Sequence, residues 1–200
     1  MIVILDYGLG NLGSIKNMLK HIGAESNISR DIKEIHQANK LILPGVGAFD
    51  KAMSKINKLG LKNILLDRAS EGIPILGICL GMQLLLDSSE EGKLPGLGLI
   101  PGEVKKFNAE NNLKVPHMGW NDVEIVQDNN LTKNLLPHSR FYFVHSYFAK
   151  VRNASHSMMQ TNYGHVFDSA ISNQNIFGVQ FHPEKSHKYG IKLLENFSNV

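Results

Sequence analysis

Short apolar runs alternate with amphipathic stretches over the first half of this 200-residue chain, and this alternation constrains the fold most. The apolar runs predict strands at Ile2–Leu5, Ala24–Ser29, Leu41–Leu43 and Ile73–Ile78. Apolar residues at helical spacing predict helices over Asn11–Ile22, Phe49–Leu59 and Leu61–Ala69. Such alternation is typical of parallel sheets whose two faces are covered by helices. We therefore predict an α/β fold with a mostly parallel central sheet.

The second half has a different pattern, in which short apolar segments are separated by clusters of Asn, Gly and Pro. These segments predict antiparallel strands and hairpins at Val104–Phe107, Asp122–Val126, Arg140–Val151, Met158–Tyr163, Val166–Ser172 and Ile176–Phe181. Apolar residues from position 191 to 197 predict a closing helix. Because no repeat or linker interrupts the chain, we predict a single domain over 1–200, whose halves share one sheet or pack two sheets together.

Charge and hydropathy exclude several classes of function. The net charge is +3, and like charges do not occur in long blocks, so a nucleic-acid or membrane-surface role has no electrostatic support. No apolar run approaches the ~20 residues that span a membrane, and the chain opens on a strand-like run rather than on a basic leader. These features predict a cytoplasmic protein.

The stretch Gly77-Ile78-Cys79-Leu80-Gly81 contains the only cysteine of the chain. It follows an apolar strand and precedes a helical stretch, Met82–Leu86, so it is the cysteine version of a nucleophile elbow. The turn would expose the sulfur above the sheet edge at a helix N-terminus, which favours thiolate, and would place the Leu80 N–H to stabilise an oxyanion. The alternative is a buried inert thiol.

A base and a group that orients it occur together near the C-terminus, in Phe181-His182-Pro183-Glu184. The preceding residues are apolar, so His182 is expected at the end of a strand. In an extended segment residues i and i+2 project to the same side, and Glu184 can then fix the imidazole tautomer. A cysteine nucleophile requires such a pair.

The segment Leu43-Pro44-Gly45-Val46-Gly47 follows a buried strand. Its two glycines permit close approach of the backbone to a substrate, or reorientation of the peptide of Val46. Alone, the segment is equally well a plain turn. With the other two motifs it predicts the second donor of an oxyanion hole.

Taken together, these motifs resemble the class I glutamine amidotransferases, and among them the glutaminase subunits of imidazole glycerol phosphate synthase. The resemblance covers essentially the whole chain. It rests on Asp6-Tyr7-Gly8-x-Gly10-Asn11-Leu12, Pro44-Gly45-Val46-Gly47, Gly77-Ile78-Cys79-Leu80-Gly81-Met82-Gln83, Ser88-Ser89-Glu90-Glu91-Gly92, Val115-Pro116-His117-Met118-Gly119-Trp120-Asn121, Phe143-Val144-His145-Ser146-Tyr147 and His182-Pro183-Glu184-Lys185-Ser186.

The resemblance implies a fold, the flavodoxin-like class I glutamine amidotransferase fold, and roles for particular residues. The triad is implied to be Cys79, His182 and Glu184. The oxyanion donors are implied to be Val46 and Leu80. The glutamine-holding positions are implied to be Gly45, Gly47, Gln83, Glu91, Val144, His145 and Ser146. The positions facing a partner are implied to be Asn11, Trp120, Tyr142 and Lys185.

The resemblance also implies a heterodimer with a (β/α)₈-barrel synthase subunit, to which ammonia from glutamine is channelled in histidine biosynthesis. No metal or organic cofactor is implied. If the Val46 peptide turns between two orientations, the chain alone should hydrolyse glutamine slowly. One departure concerns the partner, because this chain has Gly13 where the family often has Arg. A paralogous glutaminase that supplies a surface-sugar amidotransferase therefore remains open.

Three other interpretations fit parts of the sequence. A cysteine hydrolase or peptidase would use the same triad, but Gln83 and Glu91 favour a glutamine site. A non-catalytic regulatory subunit would not need an intact Cys–His–Glu set. The segment Gly8–Gly13 matches a Gly-x-Gly-x-x-Gly nucleotide motif with Asp31 as a ribose-binding acid, but Asp6 beside it would repel a pyrophosphate.

Overall fold

A computed structural model describes residues 1–108 and 113–200 and confirms the predicted α/β architecture. The helices are α1 (Leu12–His21), α2 (Ile32–Gln37), α3 (Phe49–Lys58), α4 (Leu61–Ser70), α5 (Leu80–Leu84) and α6 (His187–Ser198). The strands are β1 (Ile2–Leu5), β2 (Ser26–Ser29), β3 (Lys40–Gly45), β4 (Ile75–Cys79), β5 (Ser88–Ser89), β6 (Gly102–Lys106), β7 (His117–Asp122), β8 (Glu124–Ile125), β9 (Arg140–His145), β10 (Tyr147–Val151), β11 (Ser157–Tyr163), β12 (His165–Asn173) and β13 (Ile176–Val179). Within the described ranges no helix combines the length and apolarity that crossing a membrane requires.

Most strands join one continuous sheet of mixed direction. Its order is β2-β1-β3-β4-β13-β12-β10-β6-β5, with β11 and β8 attached beside β12. The pairs from β2 to β13 are parallel. The pairs β13–β12, β12–β10 and β10–β6 are antiparallel, and the last pair, β6–β5, is parallel again. The two halves of the chain therefore share one sheet, and β7 and β9 form a second, two-stranded sheet.

Helices cover both faces of the parallel half. Successive residues of β1 alternate between two apolar clusters, with Val3 in one and Ile4 in the other. The first cluster contains the buried faces of α3 and α4, and the second contains those of α1 and α6. Because both faces are buried, the strands can be apolar along their whole length. Because β3, β4 and β13 are parallel, their carboxyl ends lie at the same edge of the sheet.

Some strand predictions were wrong in detail. Arg140–Val151 was predicted as antiparallel strand or hairpin, but Ser146 divides it into β9 and β10, which do not pair with each other, because β9 pairs with β7 and β10 pairs with β6. Of Asp122–Val126, the strand β8 takes only two residues, and Asp122 ends β7. Strand β7 was missed because glycine, asparagine and aspartate are weak strand formers.

The short helix α2 was also missed. It begins after Asp31, whose carboxylate accepts hydrogen bonds from the backbone N–H groups of Lys33 and Glu34. This is a helix cap, so the carboxylate that a nucleotide-binding interpretation would place on a ribose is already engaged. The neighbouring Asp6 forms an ion pair with Arg30. The Gly8–Gly13 segment therefore forms the turn between β1 and α1, together with the first two residues of that helix.

Candidate active site

Cys79 ends β4 in a strained backbone conformation, with φ 55° and ψ −110°. A non-glycine residue rarely adopts positive φ, and such strain concentrates at functional sites. A Cβ atom on Gly81 would lie 1.8 Å from the Leu43 carbonyl oxygen, and one on Gly77 would lie 2.6 Å from the Gly81 carbonyl oxygen. Gly81 therefore lets the elbow pack against β3, and Gly77 lets β4 pack against the first turn of α5. Helix α5 begins at Leu80, two residues earlier than the helical stretch predicted from the sequence.

His182 and Glu184 form a buried pair just beyond the end of β13. Nδ1 of His182 lies 2.7 Å from Oε1 of Glu184, and their side chains are 4% and 2% exposed. Glu184 lies in a 3₁₀ turn, Pro183–Lys185, so the extended geometry assumed from the sequence was wrong although the pairing occurs. The hydroxyl of Ser186 donates to the His182 carbonyl oxygen at 2.6 Å, which fixes the turn.

The electrostatic environment of His182 favours the imidazolium ion. Burial alone would lower its pKa, but the neighbouring Cys79 sulfur and the Glu184 carboxylate raise the pKa to about 10. Among the described residues, Nε2 of His182 has no hydrogen-bond partner of good geometry. The ring is therefore anchored through Nδ1 and keeps Nε2 free for proton transfer.

Cys79 and His182 open onto one cavity of about 350 Å³, within the usual range of small-molecule clefts. Its lining residues are Val46, Gly47, Cys79, Leu80, Gln83, Glu91, Pro116, Val144, His145, Ser146, Tyr147 and His182. Six of the seven predicted glutamine-holding positions are thus brought together. The seventh, Gly45, lies buried behind the cavity, where an added Cβ would meet the hydroxyl of Tyr7 at 2.7 Å and the Gly81 nitrogen at 2.9 Å.

Of the two predicted oxyanion donors, Val46 follows β3 and Leu80 follows β4. Gly45 pairs with Cys79 in the β3–β4 register, so Val46 is the first residue beyond the sheet edge. Val46 is exposed, and Gly47 has φ +99°, a conformation that suits glycine. Leu80 follows the cysteine directly at the start of α5. Both residues line the cavity that Cys79 enters.

The other buried histidines are engaged as neutral rings. His145 Nδ1 lies 2.7 Å from the carbonyl oxygen of Tyr147, which can only accept, so Nδ1 donates and Nε2 is left to accept. His117 Nδ1 lies 2.9 Å from that Nε2 and therefore donates to it, while the Asn121 amide donates to His117 Nε2. Burial lowers the pKa of His145 to about 3 and that of His117 to about 4. Neither ring has a nitrogen free to serve as a base.

Three of the four predicted partner-facing residues form one aromatic and basic cluster. The rings of Trp120 and Tyr142 meet edge to face at 6.2 Å, and the Lys185 ammonium lies 5.5 Å from the centre of the Tyr142 ring. His187, which was not predicted, stacks on Trp120 at 5.5 Å. Asn11 is exposed at the start of α1, and its side chain makes no capping hydrogen bond to that helix.

Sequence reasoning missed four residues that contact the site. Pro116 and Tyr147 line the cavity and belong to motifs that carry the resemblance, but no role was predicted for them. Tyr7 donates a hydrogen bond to the Pro44 carbonyl oxygen. Gln180 contacts the Cys79 sulfur. The only sequence signal for Gln180 was a polar residue in the apolar run Ile176–Phe181.

A cysteine on a strand-to-helix elbow that shares a small cavity with a buried His–Glu pair defines an α/β enzyme suited to thiol-based acyl transfer. The chain belongs to the class-I glutamine amidotransferase family, whose model matches residues 3–199.

Curated relatives match along the whole chain. Imidazole glycerol phosphate synthase subunit HisH 2 of Methanococcus maripaludis is 54% identical over 198 residues, which cover 98% of each chain. Imidazole glycerol phosphate synthase subunit HisH of Bdellovibrio bacteriovorus is 48% identical over 204 residues, covering both chains completely. Imidazole glycerol phosphate synthase subunit HisH 2 of Pseudomonas aeruginosa is 46% identical over 198 residues, which again cover 98% of each chain.

Solved structures support the fold class alone. A crystal structure of a glutamine amidotransferase superposes with a TM-score of 0.78 at 19% identity, covering 100% of this chain and 99% of that one. PurLQS from Thermotoga maritima superposes with a TM-score of 0.74 at 18% identity, covering 99% and 97%. The predicted class I glutamine amidotransferase fold is thereby confirmed.

Proposed function

We propose that this chain is the glutaminase subunit of imidazole glycerol phosphate synthase, working as one domain in histidine biosynthesis. It hydrolyses glutamine to glutamate and ammonia and passes the ammonia to a synthase subunit. The observation that carries the proposal is Cys79 at a strained elbow, sharing one cavity with His182, whose ring is paired to buried Glu184. Full-length identity of about half to subunits of that name supports the choice of pathway.

Thioester formation is the first half of the reaction. The Cys79 thiolate attacks the side-chain amide carbon of glutamine, and the negative charge that develops on the amide oxygen is stabilised by the backbone N–H groups of Leu80 and Val46. The C–N bond then breaks as protonated His182 donates a proton to the departing nitrogen, which releases ammonia. A γ-glutamyl thioester remains on the cysteine.

Hydrolysis of the thioester is the second half. Neutral His182 takes a proton from water, and the water oxygen attacks the thioester carbon. The C–S bond of the resulting tetrahedral intermediate then breaks, which leaves free glutamate and the Cys79 thiolate. Glu184 holds the ring through Nδ1 in both steps and stabilises the imidazolium form. The high pKa of His182 suits it to be the proton donor in the first half.

The cavity supplies groups that suit the rest of glutamine. Gln83 is 5% exposed and offers an amide at the wall. Glu91 places a carboxylate at the opening, where Oε2 also accepts from the Phe49 backbone N–H at 2.9 Å. A carboxylate there suits the α-ammonium group of glutamine. Val144 and Ser146 bracket the buried His145 along the remaining wall.

Ammonia must be kept from protonation in bulk water, because ammonium is not a nucleophile. We therefore propose a heterodimer in which the (β/α)₈-barrel synthase subunit covers the cavity mouth. The exposed Trp120 and Lys185, with Tyr142 between them, are aromatic and basic anchors of the kind that dominate interfaces. Asn11 is proposed to contact the same partner from the start of α1.

The test is a Cys79→Ser variant, assayed with the barrel subunit. A serine hydroxyl is a far weaker nucleophile in a site tuned for thiolate, so glutamine-dependent synthesis should be abolished. Synthesis from added ammonia should continue at the wild-type rate, which serves as the control for folding and assembly. Glutamate release by Cys79→Ser at the wild-type rate would refute the proposed nucleophile.

A second candidate is a paralogous glutaminase that supplies a surface-sugar amidotransferase. Gly13 lies in open space at the proposed partner face, where the resembling family often has Arg. Reconstitution with each type of synthase decides, because only the true partner should accelerate glutamate release.

A further inference from the structure

The side-chain amide of Gln180 reaches the sulfur of Cys79 from beneath the cavity. Gln180 is fully buried, and its Nε2 lies 3.8 Å from the Cys79 Sγ. Its Oε1 lies 3.0 Å from Nε2 of Gln83. The amide therefore bridges the nucleophile and a residue of the cavity wall, out of contact with solvent.

The Tyr147 carbonyl oxygen, at the end of this bridge away from the sulfur, determines the direction of each hydrogen bond in it. The Tyr147 carbonyl oxygen can only accept, so the Gln83 atom 3.0 Å from it is the donor nitrogen. That same nitrogen meets Gln180, which must therefore present its oxygen. The remaining atom of the Gln180 amide, directed at sulfur, is consequently the N–H donor. The carbonyl oxygen of Gln83 is left free to accept from a ligand in the cavity.

We propose that Gln180 is a further catalytic residue, whose side-chain N–H donates a hydrogen bond to the Cys79 thiolate. The inference rests on the proposed function, in which this sulfur is the nucleophile. A hydrogen bond to an anionic acceptor is stronger than one to a neutral acceptor, so Gln180 stabilises the thiolate relative to the thiol. It also holds the sulfur in place while the thioester forms and breaks.

Gln180 complements the charged neighbours of the sulfur. His182, paired with Glu184, supplies a positive charge on one side. On another side stands Tyr7, a buried phenol whose pKa is raised by burial and by the charge of Cys79, so it remains neutral. Gln180 supplies a fixed neutral donor, whose strength does not vary with pH.

The experiment measures how fast iodoacetamide alkylates the purified full-length chain between pH 6 and pH 9. Cys79 is the only cysteine, so the labelling reports on this sulfur alone. Gln180→Met keeps the length of the side chain and removes the donor. We expect alkylation at pH 7 to slow by roughly 10- to 100-fold, the worth of one hydrogen bond to a charged group, with the reactivity profile moved to higher pH.

Gln180→Glu separates donation to sulfur from support of Gln83. Its carboxylate still accepts from Gln83 but has no N–H for the sulfur, so alkylation should slow as it does for Gln180→Met. The matched control is Asn196→Leu, which removes another buried side-chain amide, one that donates to the carbonyl oxygens of Leu131 and Lys133 away from the cavity. This variant should keep the wild-type profile even though it loses stability.

Two results would overturn the inference. One is an unchanged alkylation profile in both Gln180 variants. The other is wild-type reactivity in Gln180→Glu with loss only in Gln180→Met, which would reduce the residue to a support for Gln83. Either result would leave the proposed function intact, provided that the wild-type chain still releases glutamate with its partner. A wild-type chain whose Cys79 neither labels nor supports glutamate release would refute both.

Discussion

Nδ1 of His117 donates a hydrogen bond to Nε2 of His145 across 2.9 Å. This bond is the middle one of a series of hydrogen bonds from the Asn121 amide to the Tyr147 carbonyl oxygen. Each nitrogen of the two rings is either a donor or an acceptor in this series of hydrogen bonds. A proton added to His145 Nε2 would set two N–H groups against each other at that distance. The arrangement therefore requires both rings to be neutral, and its members His145 and Tyr147 line the cavity.

The neutral pair predicts sensitivity to acid. The pKa of His145 is lowered to about 3 and that of His117 to about 4, mainly by burial, against about 6.5 for unfolded histidine. Below pH 6.5 the unfolded chain thus binds protons that the folded chain does not. The free energy of unfolding should fall on acidification, by up to about 1.4 kcal/mol per pH unit for each ring, down to about pH 4. Urea unfolding at a series of pH values measures this slope.

NMR of the imidazole nitrogens provides the decisive observation for this first prediction. Both rings should keep their neutral tautomers at pH 5. A ring that protonates above pH 6 would contradict the neutral pair. His36 is exposed on α2, so His36→Gln should leave the pH dependence of unfolding as it is in the wild type.

His182 and Glu184 should differ in the size of their effects. His182→Ala removes the proton donor and acceptor, and thioester formation should fall by about 10⁴-fold. Glu184→Gln keeps an oxygen that can hold Nδ1 but loses the charge, so we expect a loss of roughly 10- to 100-fold. The Glu184 substitution should also lower the pKa of His182, because it removes one of the two groups that raise it.

Rapid quenching with mass spectrometry of the acylated chain measures thioester formation in both variants. Equal and negligible losses would exclude this pair as the base and its orienting group.

Tyr7 should support the oxyanion segment. Its hydroxyl donates to the Pro44 carbonyl oxygen just before Gly45 and Val46, and the phenol is 2% exposed. Tyr7→Phe leaves that carbonyl without this donor, which should cost about 1–3 kcal/mol of unfolding free energy. Displacement of Val46 should also lower kcat for glutamine while KM changes little, since the oxyanion contact exists only in the transition state.

Tyr163 offers a matched control for Tyr7. Its hydroxyl donates to the Lys114 carbonyl oxygen at 2.7 Å in an exposed setting, where water can replace the lost donor. Tyr163→Phe should therefore cost less stability and leave kcat unchanged. A kcat for Tyr7→Phe equal to that of Tyr163→Phe would show that Tyr7 is only structural.

Coupling to the partner gives the fourth prediction. The exposed Val46 lies between glycines, one of which has φ +99°, so its peptide can turn away from the oxyanion position. One misplaced donor is worth about 10²–10³-fold in rate, and the chain alone should be slower than its complex by that order. Trp120→Ala should weaken binding to the partner and reduce the acceleration. Steady-state glutamate release with and without the loaded partner tests this, and full activity of the isolated chain would exclude gating.

The features predicted correctly are those that local sequence determines. The elbow is indicated by glycines two residues before and two residues after Cys79. The pairing of His182 with Glu184 is indicated by their separation of two residues in the sequence. In contrast, the division between β9 and β10 depends on which distant strands they pair with, and no local pattern reveals that. Gln180 was missed for a similar reason, because it contacts a cysteine 101 residues away.

The order of the strands has a consequence for synthesis of the chain. Strand β13 is inserted between β4 and β12, and its Val179 pairs with Ile78 immediately before the nucleophile. In a ribosome-bound chain that has not yet released β13, the edge of β4 that carries Cys79 therefore lacks its partner strand, and neither His182 nor Gln180 has reached the cysteine. Insertion of this late strand closes the sheet and brings His182 and Gln180 to the Cys79 thiol. An unfinished chain therefore cannot hydrolyse glutamine.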